Sequence, residues 1–132
     1  MRSRAQKAQR LVSVHAQIKR VQEWKLAEIE RRLAEGEAAQ RGLIAVLGED
    51  HALYDLFIDT IARRLRALSE EAGRIGAEKQ AQARLLLASA QRLKGAERLA
   101  AAADEEAQRD AVKKELLDLL DASLSGRKPP AS

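Results

Sequence analysis

Residues 47–57 read LGEDHALYDLF. Glu49, Asp50 and His51 stand together after Gly48, as they would in a metal site or a general acid/base pair. The same residues also suit a reversal between two helices. Gly48 can adopt the left-handed conformation that ends a helix. Asp50 can accept a backbone hydrogen bond at the start of the next one. The pattern on either side favours the reversal, with a turn over 48–51.

Upstream, nothing strongly breaks a helix over residues 4–47. Apolar residues recur at Leu11, Val14, Ile18 and Val21, then at Leu26, Ile29 and Leu33. They continue at Leu43 and Leu47 through Gly36 and Gln40. Steps of three and four place such residues on one face of a helix. The two runs are offset by one residue between Val21 and Leu26, which implies a local adjustment of the supercoil. Trp24 lies at that offset and is expected to fill it.

Downstream, a second seam starts at Tyr54, Ile58, Ile61, Leu65 and Leu68. It continues through Ala72, Ile75, Lys79, Gln82 and Leu86 to Ser89, Leu93 and Ala96. The pattern passes through Gly73 and Gly76 without losing phase, so one helix is expected over 51–124. The expected fold class is all-α: an antiparallel two-helix coiled-coil hairpin whose second helix is longer and overhangs the first. A turn centred on residue 49 sets Arg4 near Lys94 and Leu11 near Leu86. Residues 96–124 then lack a partner in the same chain, and Val112, Leu116, Leu117, Leu119, Leu120 and Leu124 form an uncovered apolar patch. Such patches mark interaction sites. The tail over 125–132 is expected to be disordered.

Composition agrees with this architecture. The 132 residues include 26 alanines and 19 leucines but one Phe, one Trp and one Tyr. An aromatic-filled globular core is therefore excluded, and 33% charged residues suit long helices. There is no cysteine, so neither disulfides nor thiolate metal sites can form. No apolar run reaches the roughly 18–20 residues of a membrane span. A cytoplasmic protein, peripheral to a membrane at most, is the expectation.

Charge is uneven. Residues 1–22 carry six Lys/Arg and no acid, whereas residues 97–121 are predominantly acidic. The basic segment lacks interleaved aromatics for base stacking, so nucleic acid is not an expected partner. Residues 4–21 are basic and amphipathic but lack bulky interfacial side chains. His15 and His51 have no neighbour at metal-ligand spacing. A hairpin tip offers no pocket to shift the pKa of a carboxylate. No enzyme activity, cofactor or metal is expected.

The chain resembles the flagellar type III export stalk family, the FliJ family, and its injectisome relatives. YDLFIDTIARRLRAL, residues 54–68, resembles that family's aromatic–x–x–Phe–Ile–x–Thr–apolar opening of its second helix, matched at Phe57, Ile58, Thr60 and Ile61. Residues 92–129 resemble its charged, Ala-containing C-terminal stretch, although LLDLLD replaces the usual Met/Leu-Asp-Glu segment. The resemblance implies a stalk that sits in the pore of a hexameric export ATPase. It also implies contact with the cytoplasmic domain of the export gate, shuttling of export chaperones, and a monomer when alone. It carries over a gate contact at Phe57, Ile61, Arg64 and Leu68, with Arg64 departing from the small residue expected. The overhang residues Val112, Leu116, Leu117 and Leu120 are the candidates for the ring. Ile61 and Leu68 also read as plain seam residues. Rival classes are a structural coiled coil, homodimeric through its overhangs, and a chaperone-like helical adaptor.

Overall fold

The computed structural model describes residues 3–49 and 51–126, with side chains omitted over 49–54. Two helices account for nearly all of it: α1, Arg4–Glu49, and α2, His51–Gly126. They contain 46 and 76 residues. The chain is an all-α two-helix hairpin, as the periodicity requires. Its contacts divide into two compact units, Gln17–Gln91 and Met1–Ala16 with Arg92–Ser132.

In the unit over 17–91, Ile29, Ile61, Leu68 and Ile75 are buried. The helices run antiparallel: Arg32 pairs with Glu78 at 3.2 Å, and Gln22, nearer the N-terminus, meets Gln82 further along α2. Gln82 is buried and donates to the backbone carbonyl oxygen of Gln22 at 3.2 Å, as well as to its side-chain oxygen. A buried amide in a coiled-coil seam must be satisfied, and this one favours a single register. On the outer face of α1, Arg31 bridges Glu28 and Glu35 one turn to either side. Its hydrogen bond holds the Glu28 carboxyl below the usual value of 4.5.

In the other unit, Ala8 packs against Ala100 and Ala103, with Ala5 and Val12 beside them. Here too the helices are antiparallel, because Arg4 reaches Glu106 at 3.4 Å while Ala8 meets Ala100. A capping box starts α1. The Ser3 hydroxyl accepts from the Gln6 backbone N–H at 3.2 Å, and Gln6 Oε1 accepts from the Ser3 N–H at 3.0 Å. Two donors that a helix start leaves unsatisfied are thereby paired.

Four expectations are corrected. First, Gly48 does not end α1 in a left-handed conformation: the helix runs on to Glu49, and no described glycine has a positive φ. Asp50 lies outside the described residues, as do residues 127–132 of the expected tail, while α2 itself continues to Gly126.

Second, the register is shifted. Arg4 meets Glu106 rather than the region of Lys94, about twelve residues or roughly 18 Å further along α2. The Ala8–Ala100–Ala103 contact and the Arg32–Glu78 pair are displaced in the same direction. The seam, rather than the position of the glycine, sets the pairing. Third, Ala96, Ala100 and Ala103 are consequently buried instead of lying in an uncovered overhang.

Fourth, the α1 seam has no phase break. Its less exposed positions are Ala5, Ala8, Val12 and His15, then Lys19, Gln22, Leu26 and Ile29, in unbroken steps of three and four. Leu11, Val14, Ile18 and Val21 sit one residue away from that line and are 39–50% exposed. Trp24 fills nothing and is 66% exposed. Alanine and long polar stems suffice for the close seam, so the larger aliphatics are left on its flank. On α2, by contrast, every expected seam residue from Ile58 to Ala96 is buried or half-buried.

Candidate interaction surfaces

Two exposed surfaces stand out. The first opens α2. In the unit over 17–91, Leu33 and Gly36 lie beside Ala72 and Ile75. Carried toward the reversal at equal rise, this pairing sets the last turn of α1 opposite about residue 60. Residues 55–59 therefore have little of α1 to cover them. Phe57 is 48% exposed and Leu56 is 77% exposed. Arg64, two turns on from Phe57, is also exposed.

Ile61 and Leu68 differ from these two neighbours. Both are buried in the seam, so the structure gives them a packing role and leaves Phe57 and Arg64 as the accessible members of the expected set. Leu56 was not singled out by periodicity, because it precedes the seam line by two residues. Its exposure follows from the register, which a single helix cannot reveal.

The second surface is the end of α2. A recess lined by Ser3, Arg4, Ala5, Ala103, Glu106 and Asp110 marks where the start of α1 stops covering α2. Beyond it, Val112, Leu116, Leu117, Leu119, Leu120 and Leu124 are 54–66% exposed. The overhang is thus present, but it begins near residue 111 instead of residue 96. It is helical without a packing partner because its residues are good helix formers and it extends an existing helix, avoiding the cost of nucleation. Just before it, pairs one turn apart add local support to α2, with Arg109 and Glu105 at 3.5 Å and Gln108 donating to Asp104 at 3.4 Å.

The side chains of Glu49, Asp50 and His51 lie outside the described residues. Among the described residues no three His, Cys, Asp or Glu side chains converge as a metal site would require. No described helix is long and apolar enough to cross a membrane. Recesses along the helices are open grooves, such as that between Trp24, Ile29 and Arg32 on α1 and Glu78 and Gln82 on α2.

The architecture is therefore that of a helical hairpin with exposed apolar side chains near the start and at the end of its longer helix. No protein-family description, curated protein or solved structure matches the chain.

Proposed function

We propose that this chain is a central stalk and escort component of a bacterial type III protein export apparatus, flagellar in preference to injectisome. The observation that carries the reading is the helical overhang after Asp110, with Val112, Leu116, Leu117 and Leu120 exposed. A coiled coil has no need of such a segment for its own stability. A hexameric ATPase ring has use for it, as a narrow helix with aliphatic side chains that can enter the pore and be gripped.

Phe57 and Arg64 contact the cytoplasmic domain of the export gate in this proposal. Ile61 and Leu68 support them from the seam. The resemblance over residues 54–68 favours that assignment, and the exposure of Phe57 is compatible with it. An exposed aromatic beside the exposed Leu56, with Arg64 two turns on, suits a contact surface. No cofactor takes part, and the chain works without chemistry of its own, beside the inner-membrane export machinery. Export chaperones are a further partner class.

The test compares the intact chain with one ended at residue 111. Because residues 112–126 are all exposed, the shortened chain keeps its helical hairpin by circular dichroism. It loses stimulation of the export ATPase. Full stimulation by the shortened chain would defeat the stalk reading. Capture of non-ATPase partners alone by residues 112–126 of the intact chain would favour a helical adaptor.

A further inference from the structure

One face of the unit formed by Met1–Ala16 and Arg92–Ser132 is used neither by the seam nor by the proposed ring contact. A groove of about 250 Å³ runs between α1 and α2 there. Arg4, Lys7 and Leu11 wall it on α1, and Leu99, Ala102 and Glu106 wall it on α2. Its floor is shallow because alanines meet underneath, with Ala8 against Ala103. Leu11 and Leu99, which would have filled a deeper seam, stand beside it half exposed.

The same face continues along α2. From Leu99 and Ala102, steps of three and four lead through Glu106 to Arg109 and Lys113, short of the leucines assigned to the ring. Residues at that spacing share one side of a helix. The opposite side carries Glu97, Asp104 and Asp118, spaced in multiples of seven. On α1, Val14 extends the line of Lys7 and Leu11, and no acid occurs among residues 3–16. Aliphatics and cations therefore share one side of this unit, while acids gather on the other. Glu105, Glu106 and Asp110 are the exceptions; the first two pair with Arg109 and Arg4, and Asp110 lines a recess with Arg4.

We infer that this face is a docking surface for an anionic lipid bilayer. Charge complementarity selects the occupant. Lys7 and Lys113, with Arg4 and Arg109 that also pair with Glu106 and Glu105, lie around Leu11 and Leu99, so apolar contact and phosphate attraction act together. A basic amphipathic surface lies in the headgroup plane by that combination, and neither part suffices alone. Bilayer attachment goes beyond the stalk reading and does not rest on it.

The experiment uses the full chain with vesicles of equal parts phosphatidylcholine and phosphatidylglycerol, and with phosphatidylcholine alone. The chain sediments with the anionic vesicles at low ionic strength, is released by salt, and ignores the neutral ones. Lys7→Glu and Leu99→Glu each weaken binding roughly tenfold. Ala111→Glu, on the acidic side, leaves it unchanged. All four proteins keep their helicity by circular dichroism, and Leu99→Asn replaces Leu99→Glu should the latter lose it.

A wild-type chain that stays in solution with anionic vesicles overturns the proposal. So does wild-type binding by both face variants, or binding that disappears only when residues 127–132 are removed. Self-association lost in the same variants, without vesicle binding, would assign the face to a second copy of the chain and reject the bilayer. ATPase stimulation by Leu99→Glu stays at the wild-type level, which keeps this result separate from the stalk test.

Discussion

The two units use the same pair of helices in opposite ways. Over 17–91, the large aliphatics Ile29, Leu68 and Ile75 point inward and are buried. In the unit containing the termini, alanines occupy the inside, at Ala8, Ala100 and Ala103, while Leu11, Leu99 and the leucines from 116 to 124 lie outside. Burial of apolar area contributes about 25 cal/mol per Å². An alanine seam thus stabilises its unit far less than an isoleucine–leucine seam of equal length. The difference lies in what is buried, isoleucine and leucine in one region and alanine in the other, because both also expose large apolar side chains, such as Trp24, Leu56 and Leu87 over 17–91.

The contrast is broken most directly by shortening one aliphatic in each region. Ile75→Ala removes a buried side chain and should cost about 2–3 kcal/mol, the lower part of the range for core truncations because a two-helix seam is narrow. Leu116→Ala removes a similar volume from an exposed site and should change stability by less than about 0.5 kcal/mol. Urea unfolding of the two variants measures both. Equal losses would mean that the leucines of the overhang are already covered in the isolated chain.

The alanine seam can be tested by enlarging it. Ala100 is 3% exposed and touches Ala8 across the helix pair. Ala100→Leu forces the helices apart there, at a cost of about 1–3 kcal/mol. The loss should be local. Amide exchange should quicken over residues 4–16 while the protection of α1 around Ile29 is retained. Uniform loss of protection through α1 would show that the two regions unfold as one.

How much of this was legible in the sequence differs between the helices. On α2 the seam is spelled by residues that differ sharply from their neighbours, Ile61, Leu65, Leu68 and Ile75, and each falls where periodicity places it. On α1 the most apolar line, Leu11 to Val21, is not the buried one. The true line contains Ala5, Ala8, His15, Lys19 and Gln22, and hydropathy alone ranks it second. Nothing within α1 discloses that Ala8 will find Ala100 or that Gln22 will find Gln82. Those are properties of the pair. The register is hidden for the same reason: a turn at Gly48 pairs Arg4 with the region of Lys94, whereas Arg4 meets Glu106. The overhang survived the error because α2 exceeds α1 by far more than the shift. Its start did not survive, and neither did the assignment of Trp24 to the interior.

The smallest expected effect concerns the backbone of the better packed region. Gly73 and Gly76 lie within α2, which passes through them without a break, as the unbroken phase of Ala72 and Ile75 requires. Neither needs to be glycine for steric reasons: their φ angles are negative-type helical, and an added Cβ at either position meets nothing within 4 Å. Alanine at these sites restricts the unfolded chain and costs the folded one nothing. Gly76→Ala should therefore stabilise the unit over 17–91 by about 0.5–1 kcal/mol. The overhang, whose helicity rests on propensity rather than on packing, should be unaffected. A rise in the main thermal transition with unchanged exchange over 111–126 is the expected pair of results. A destabilised Gly76→Ala would mean that the helix must flex at this point, and that the isoleucine–leucine seam tolerates a bend its burial pattern does not show.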